Sequence, residues 1–147
     1  MKKNLNRKDF LLVSAGLAAT AMVSRIGATE GHKHHDGNAK HAALISAAMD
    51  CLNKSQICLD HCIVSLREKD LSLVECLASV REMIPICSTL GSLAAYDSKR
   101  LSAFAKVCIA ACQDCMKECE KHSKKHQSCK DCADSCKACI SECKKVA

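Results

Sequence analysis

Four stretches of the chain carry apolar side chains at every third or fourth position, with Lys, Glu and Asp between them: about residues 41 to 67, 71 to 95, 99 to 122 and 126 to 145. That spacing follows the 3.6-residue repeat and predicts four amphipathic α-helices. Polar breaks separate them: Arg67-Glu68-Lys69-Asp70, Tyr96-Asp97-Ser98 and Ser123-Lys124-Lys125. Ser72 with Glu75 has the spacing of a capping box, and Asp97 or Ser98 is placed to cap the third helix. Pro85 falls inside the second helix, where it removes a backbone hydrogen bond and is expected to kink or split it. Such short connections make consecutive helices antiparallel neighbours. The expected fold is all-α, an antiparallel up-down-up-down four-helix bundle over residues 41–147.

Cysteine occupies the inward stripe of each predicted helix. At 100° per residue, Cys51, Cys58 and Cys62 fall within about 40° of arc, and Cys76 and Cys87 within about 20°. Cys108, Cys112, Cys115 and Cys119 fall within about 60°, and Cys129, Cys132, Cys136, Cys139 and Cys143 within about 80°. The stripes are shared with Leu44, Ala48, Leu73, Val80, Met83, Leu90, Leu101 and Phe104, while pairs such as Lys117-Glu118 and Lys130-Asp131 lie opposite. The expected core is therefore lined with thiols facing the bundle axis.

Composition sharpens the picture. Of 147 residues, 14 are Cys, and Phe10, Tyr96 and Phe104 are the only aromatics. Low Gly and Pro argue against a β-sandwich, a collagen or a loop-rich knottin. No apolar run is long enough for a membrane span. The net charge is +6, of which +4 belongs to residues 1–28, so the remainder holds only +2 and shows no basic face for nucleic acid. Residues 1–28 read as an export signal, with a positive start and a 14-residue apolar run, Phe10–Val23. Candidate cleavage sites are Ala19-Thr20-Ala21 and Ile26-Gly27-Ala28. The segment Asn6-Arg7-Lys8-Asp9-Phe10-Leu11-Leu12 resembles a twin-arginine (Tat) signal with Lys in place of the second Arg. Export, expected to the periplasm, implies an oxidising compartment. Residues 29–40 form a tail whose His32, His34 and His35 are expected to be solvated rather than ligating.

Three explanations fit a thiol-lined core. Cys as mere filler leaves a loose interior, because the side chain is small and aromatics are nearly absent. Disulfide stapling suits an exported chain, but i, i+4 cysteines on one helix are poorly placed for bonding, and the third and fourth helices hold nine of the 14 thiols. Metal binding is the third. Cys-X3-Cys recurs at 58/62, 108/112, 115/119, 132/136 and 139/143, and Cys-X2-Cys at 112/115, 129/132 and 136/139. Side chains at i, i+4 start ~5–6 Å apart, and two metal–thiolate bonds of ~2.3 Å laid end to end span ~4.6 Å. Cu(I) accepts two or three thiolates, whereas zinc wants four in a tetrahedron, so a continuous ladder suits multiple Cu(I) ions best. Empty thiols must be protonated, so loading should release protons. Zinc and iron–sulfur readings remain as alternatives, although the ferredoxin-type cysteine run is incomplete. No constellation of carboxylate, Ser and His suggests an enzyme.

The bundle, the Cys-X2-Cys and Cys-X3-Cys runs and the leader together resemble the exported branch of the four-helix copper storage protein family. The resemblance implies a homo-oligomer, a tetramer, whose bundles each hold many Cu(I) ions that serve cuproenzymes or pass to a copper chaperone. It also implies that copper passes one open end, where His and Met supplement Cys. In this sequence one end presents Leu44, Ile45, Leu90, Leu93, Leu101 and Phe104 as an apolar plug. The other presents His61, Cys62, Cys76, Cys119, His122, Cys129 and His126, and is the expected mouth, since imidazole suits catching and passing on a soft ion. Met49 and Met83 are expected in the core rather than as ligands, and Met116 beside the third stripe is a weaker candidate still.

Overall fold

The structure, a computed structural model, describes residues 39–147. The leader at 1–28 and His32, His34 and His35 lie outside the described residues. After a 3-10 turn at Ala39–His41, the chain forms α1 (Ala42–Arg67), a second 3-10 turn (Leu71–Leu73), α2 (Val74–Ala95), α3 (Leu101–Glu120) and α4 (Gln127–Cys143). No helix among the described residues is long and apolar enough to cross a membrane.

The helix ends follow local chemistry, with three departures from expectation. Asp70, not Ser72, is the capping side chain here, and it caps the 3-10 turn that leads into α2: its Oδ1 accepts from the Ser72 N–H at 3.0 Å. Because Leu71–Leu73 is a 3-10 turn, Ser72 lies within it, and Leu73 at the helix boundary offers no side-chain cap. At α3, Ser98 Oγ accepts from the Arg100 N–H at 3.2 Å, while Asp97 turns away to Lys40 and His41. Pro85 does not split α2, which runs unbroken from Val74 to Ala95. Both Pro85 and Arg81, one turn earlier, are exposed, so the missing bond falls on the solvent side.

Helices α1 and α2 each end in a Schellman motif built without glycine. Asp70 N–H bonds Ser65 O and Lys69 N–H bonds Leu66 O, both at 3.0 Å, with Lys69 at φ 69°. Ser98 N–H bonds Leu93 O at 3.0 Å and Asp97 N–H bonds Ala94 O at 3.2 Å, with Asp97 at φ 47°.

The helices pack as a closed ring, α1 against α2, α2 against α3, α3 against α4 and α4 against α1. Sulfur contacts give their sense. Cys62 meets Cys76, while Cys51, earlier on α1, meets Met83, later on α2. Cys76 meets Cys119 and Cys87 meets Cys108; Cys108 meets Cys139 and Cys115 meets Cys132; Cys51 meets Cys136 and Cys58 meets Cys129. In every neighbouring pair, moving forward along one helix moves backward along the other, so neighbours run antiparallel.

One end of the ring is closed by Leu44, Ala48, Leu90, Ala94, Leu101 and Ala105, all buried, with Ile45, Leu93 and Phe104 packed on them. Each buried Leu contributes about 1.5–3 kcal/mol relative to exposure. Over this plug Asp97 takes both oxygens to Lys40 Nζ at 2.9 Å and Oδ1 to His41 Nε2 at 2.8 Å, tying the start of α1 to the α2–α3 connection. Met49 is not a core residue. It is 39% exposed, and its methyl lies across Gly91 of α2, where a Cβ would collide with it.

Candidate metal-binding core

The axial interior is sulfur. All 14 cysteines are buried and free, and each comes from the inward stripe of its helix. The only buried polar side chains among the described residues are Ser55, Ser65 and Ser135, so the core contains no ammonium or guanidinium to balance thiolates. The shortest Cys–Cys contact is 3.5 Å, between Cys76 and Cys119. That is far beyond an S–S bond of about 2.05 Å. Disulfide stapling finds no support in this arrangement.

The thiols gather into sets whose sulfur atoms all lie within 4.8 Å of one another: Cys51/Cys87/Cys112/Cys139, Cys58/Cys76/Cys129, Cys58/Cys119/Cys132, Cys108/Cys139/Cys143 and Cys115/Cys132/Cys136. Cys58, Cys132 and Cys139 each belong to two sets. Shared members join the sets into two groups, and the Cys51–Cys136 contact at 3.8 Å links the groups, so the thiols form a connected ladder rather than isolated cages. Cys62 belongs to none but reaches Cys76 at 3.8 Å. Two-coordinate metal with ~2.3 Å bonds holds its sulfurs ~4.6 Å apart, and planar three-coordination ~4.0 Å apart. Both spacings fit these sets, and a shared thiolate can bridge two ions.

Protonation inside the ladder is uneven, because thiols packed together donate to one another. Cys112 draws Cys51 down to about 5 and, at 3.8 Å, draws Cys108 down to about 5 as well. Cys112 itself is pushed well above the ordinary thiol range, first by Cys108. Cys58, beside Cys119, and Cys87, beside Cys108, are also pushed up. Cys76 beside Cys119, Cys129 beside Cys58, Cys132 beside Cys115 and Cys139 beside Cys108 are likewise drawn below the ordinary thiol range, against the opposing effect of burial.

The end opposite the plug carries imidazoles. His61 Nε2 lies 2.8 Å from His126 Nδ1, with ring centroids 4.8 Å apart. The His122 ring centroid is 6.4 Å from that of His126. All three rings are half-buried. His61 sits one residue before Cys62, and His126 opens α4 three residues before Cys129, so the imidazoles adjoin the first thiols of the ladder.

Two further side chains line the core: Met83, expected from the sequence in the core rather than as a ligand, and Ser55, not singled out from the sequence. Met83 is fully buried, with Sδ 3.1 Å from Cys87 Sγ and 3.6 Å from Cys51 Sγ. Ser55 is fully buried; its hydroxyl donates to Cys51 O at 2.6 Å and lies 3.6 Å from Cys132 Sγ. Spacing was the available signal. Met83 stands seven residues after Cys76 and four before Cys87, and Ser55 four after Cys51 and three before Cys58. Met116 is half-buried and packs against the edge of the core.

Comparison with known proteins follows the same pattern. A family profile described as copper storage protein matches residues 17–147. The uncharacterized cysteine-rich protein YhjQ of Bacillus subtilis (strain 168) is 30% identical over 91 residues, covering 62% of this chain and 81% of that protein. Among solved structures, the Cu(I)-bound copper storage protein BsCsp3 superposes with a TM-score of 0.64 at 29% identity, covering 71% of this chain and 95% of the other. The copper storage protein Ccsp of Streptomyces lividans, solved loaded with 10 copper equivalents, superposes with a TM-score of 0.63 at 23% identity, covering 70% of this chain and 80% of the other. At that identity, the second likeness speaks for the fold alone.

Proposed function

We propose, for a chain that belongs to the copper storage protein family, that the sulfur ladder is its store and the imidazole end its way in. The protein is a copper storage protein, and its cargo is Cu(I) held on buried Cys thiolates. The observation that carries this reading is the connected set of thiols: every cysteine is buried and free, and all but Cys62 fall into overlapping sets of metal-binding size. A chaperone or sensor needs one such site; a store needs many in contact.

In this reading Cu(I) meets His61, His122 and His126 first and moves to Cys62, Cys76, Cys119 and Cys129. Imidazole is a softer ligand than water and a weaker Cu(I) ligand than thiolate, so the ion passes inward down a gradient of affinity. The leucine plug closes the far end. The protein carries out storage rather than catalytic turnover. The leader at residues 1–28, with its Tat-like segment, supports export to the periplasm, and stored copper is released to cuproenzymes or to a chaperone serving them. Self-association, as a tetramer in the family resemblance, is supported by apolar side chains left exposed on α1, on the 3-10 turn after it and at the start of α2: Ile57, Val64, Leu71 and Val74 are 52%, 43%, 71% and 42% exposed.

Anaerobic titration of the reduced protein with Cu(I), against a strong chelator, tests the central claim. The expected result is stoichiometric uptake of on the order of ten ions per chain, as bridging thiolates allow, with thiolate-to-copper charge-transfer absorption confined to the ultraviolet. Saturation at one or two ions would defeat the storage reading.

A further inference from the structure

The thiol lining is interrupted on one side only. Along α3 and α4 the inward stripes are nearly unbroken cysteine, but α1 inserts Ser55 between Cys51 and Cys58, and α2 inserts Val80 and Met83 between Cys76 and Cys87. Val80 is apolar filling. Met83 is different, because its sulfur is turned into the thiols: 3.1 Å from Cys87 Sγ and 3.6 Å from Cys51 Sγ, whose own separation is within 4.8 Å. Its nearest oxygen contact, Ser55 Oγ at 3.8 Å, is already committed to Cys51 O at 2.6 Å.

We propose that Met83 is a thioether ligand that completes a three-sulfur Cu(I) site with Cys51 and Cys87, on the side of the ladder nearer the plug; the proposal rests on Cu(I) being the cargo. Three sulfurs around one ion at ~2.3 Å stand ~4.0 Å apart, which these atoms reach with small rotations of flexible side chains. Thioether sulfur is soft and selects Cu(I) over harder ions. It also brings neither charge nor proton. Cu(I) on three thiolates leaves a net charge of −2 in the core, whereas Cu(I) on Cys51, Cys87 and Met83 leaves −1. With no buried cation among the described residues to offset the excess, the less charged site is the easier one to bury. Packing alone explains a long apolar side chain at this position; it does not explain sulfur aimed at two thiols.

Selenomethionine tests the idea without a substitution at the site. The chain is grown with selenomethionine, loaded anaerobically with Cu(I), assayed for copper per chain, and examined by X-ray absorption at the selenium edge. The expected result is a copper neighbour at bonding distance from selenium, lost in Met83→Leu, whose volume preserves the core, while uptake by the variant falls by no more than about one ion, the occupancy of a single site. Absence of a copper neighbour in the loaded wild-type chain, or its persistence in Met83→Leu, overturns the proposal and leaves storage on thiolates standing. Failure of the wild-type chain to take up Cu(I) overturns both.

Discussion

Individual thiols in the ladder are not equivalent. Cys132 joins two sulfur sets and touches Ser55 on the facing helix, whereas Cys62 joins none. A bridging thiolate serves two ions, so Cys132→Ser is expected to lower Cu(I) capacity by about two ions and Cys62→Ser by at most one, in the competition titration. Protonation is also read residue by residue. Cys58, Cys87 and Cys112 are pushed above the ordinary thiol value and hold their protons at neutral pH, so Cu(I) must displace them. Cys51 and Cys108, drawn to about 5, are already ionised there. Lower pH favours the protonated, empty form. Apparent Cu(I) affinity should therefore fall as pH drops from about 8 to about 5, by up to about tenfold per unit for each proton displaced. Affinity independent of pH, after correction for the chelator's own protonation, would contradict thiol displacement.

At the scale of elements, much of the architecture is legible because one periodicity governs both burial and chemistry. The 3.6-residue repeat places each cysteine inward, and each is buried. The same arithmetic bears on the methionines: Met49 stands about 160° around α1 from Cys51 and is surface, while Met83 stands about 20° from Cys76 and is lining. Helix boundaries were less legible. Ser72 and Glu75 have capping-box spacing, yet a 3-10 turn shifts the cap to Asp70, since hydrogen bonding in the first turn depends on how α1 ends. That ending carries a cost, because Lys69 takes φ 69° in a motif that glycine fills most easily. Lys69→Gly is expected to stabilise the metal-free bundle by about 1 kcal/mol, measured by denaturant unfolding under reducing conditions. The contact between His61 and His126 was visible only as a shared end of the bundle. The 2.8 Å contact joins α1 to the start of α4 across 65 residues, a tertiary pairing that helical periodicity does not specify.

The molecule as a whole is held at one end by leucines and by the clasp of Lys40 and His41 on Asp97. Lys40 first, then His41, holds the Asp97 carboxyl below the usual carboxylate range. A depressed carboxyl contributes its stability above the unfolded value of about 3.9 and loses it as pH falls through the folded value. The difference in stability between wild type and Asp97→Asn is therefore expected to be present at neutral pH and to vanish in acid, as read by thermal unfolding across pH 7 to 2. The plug has a larger consequence. With one end shut and entry at the imidazole end, as proposed, the column of sulfur would fill and empty through the same door, so the sites nearest the plug would be the last to be drained.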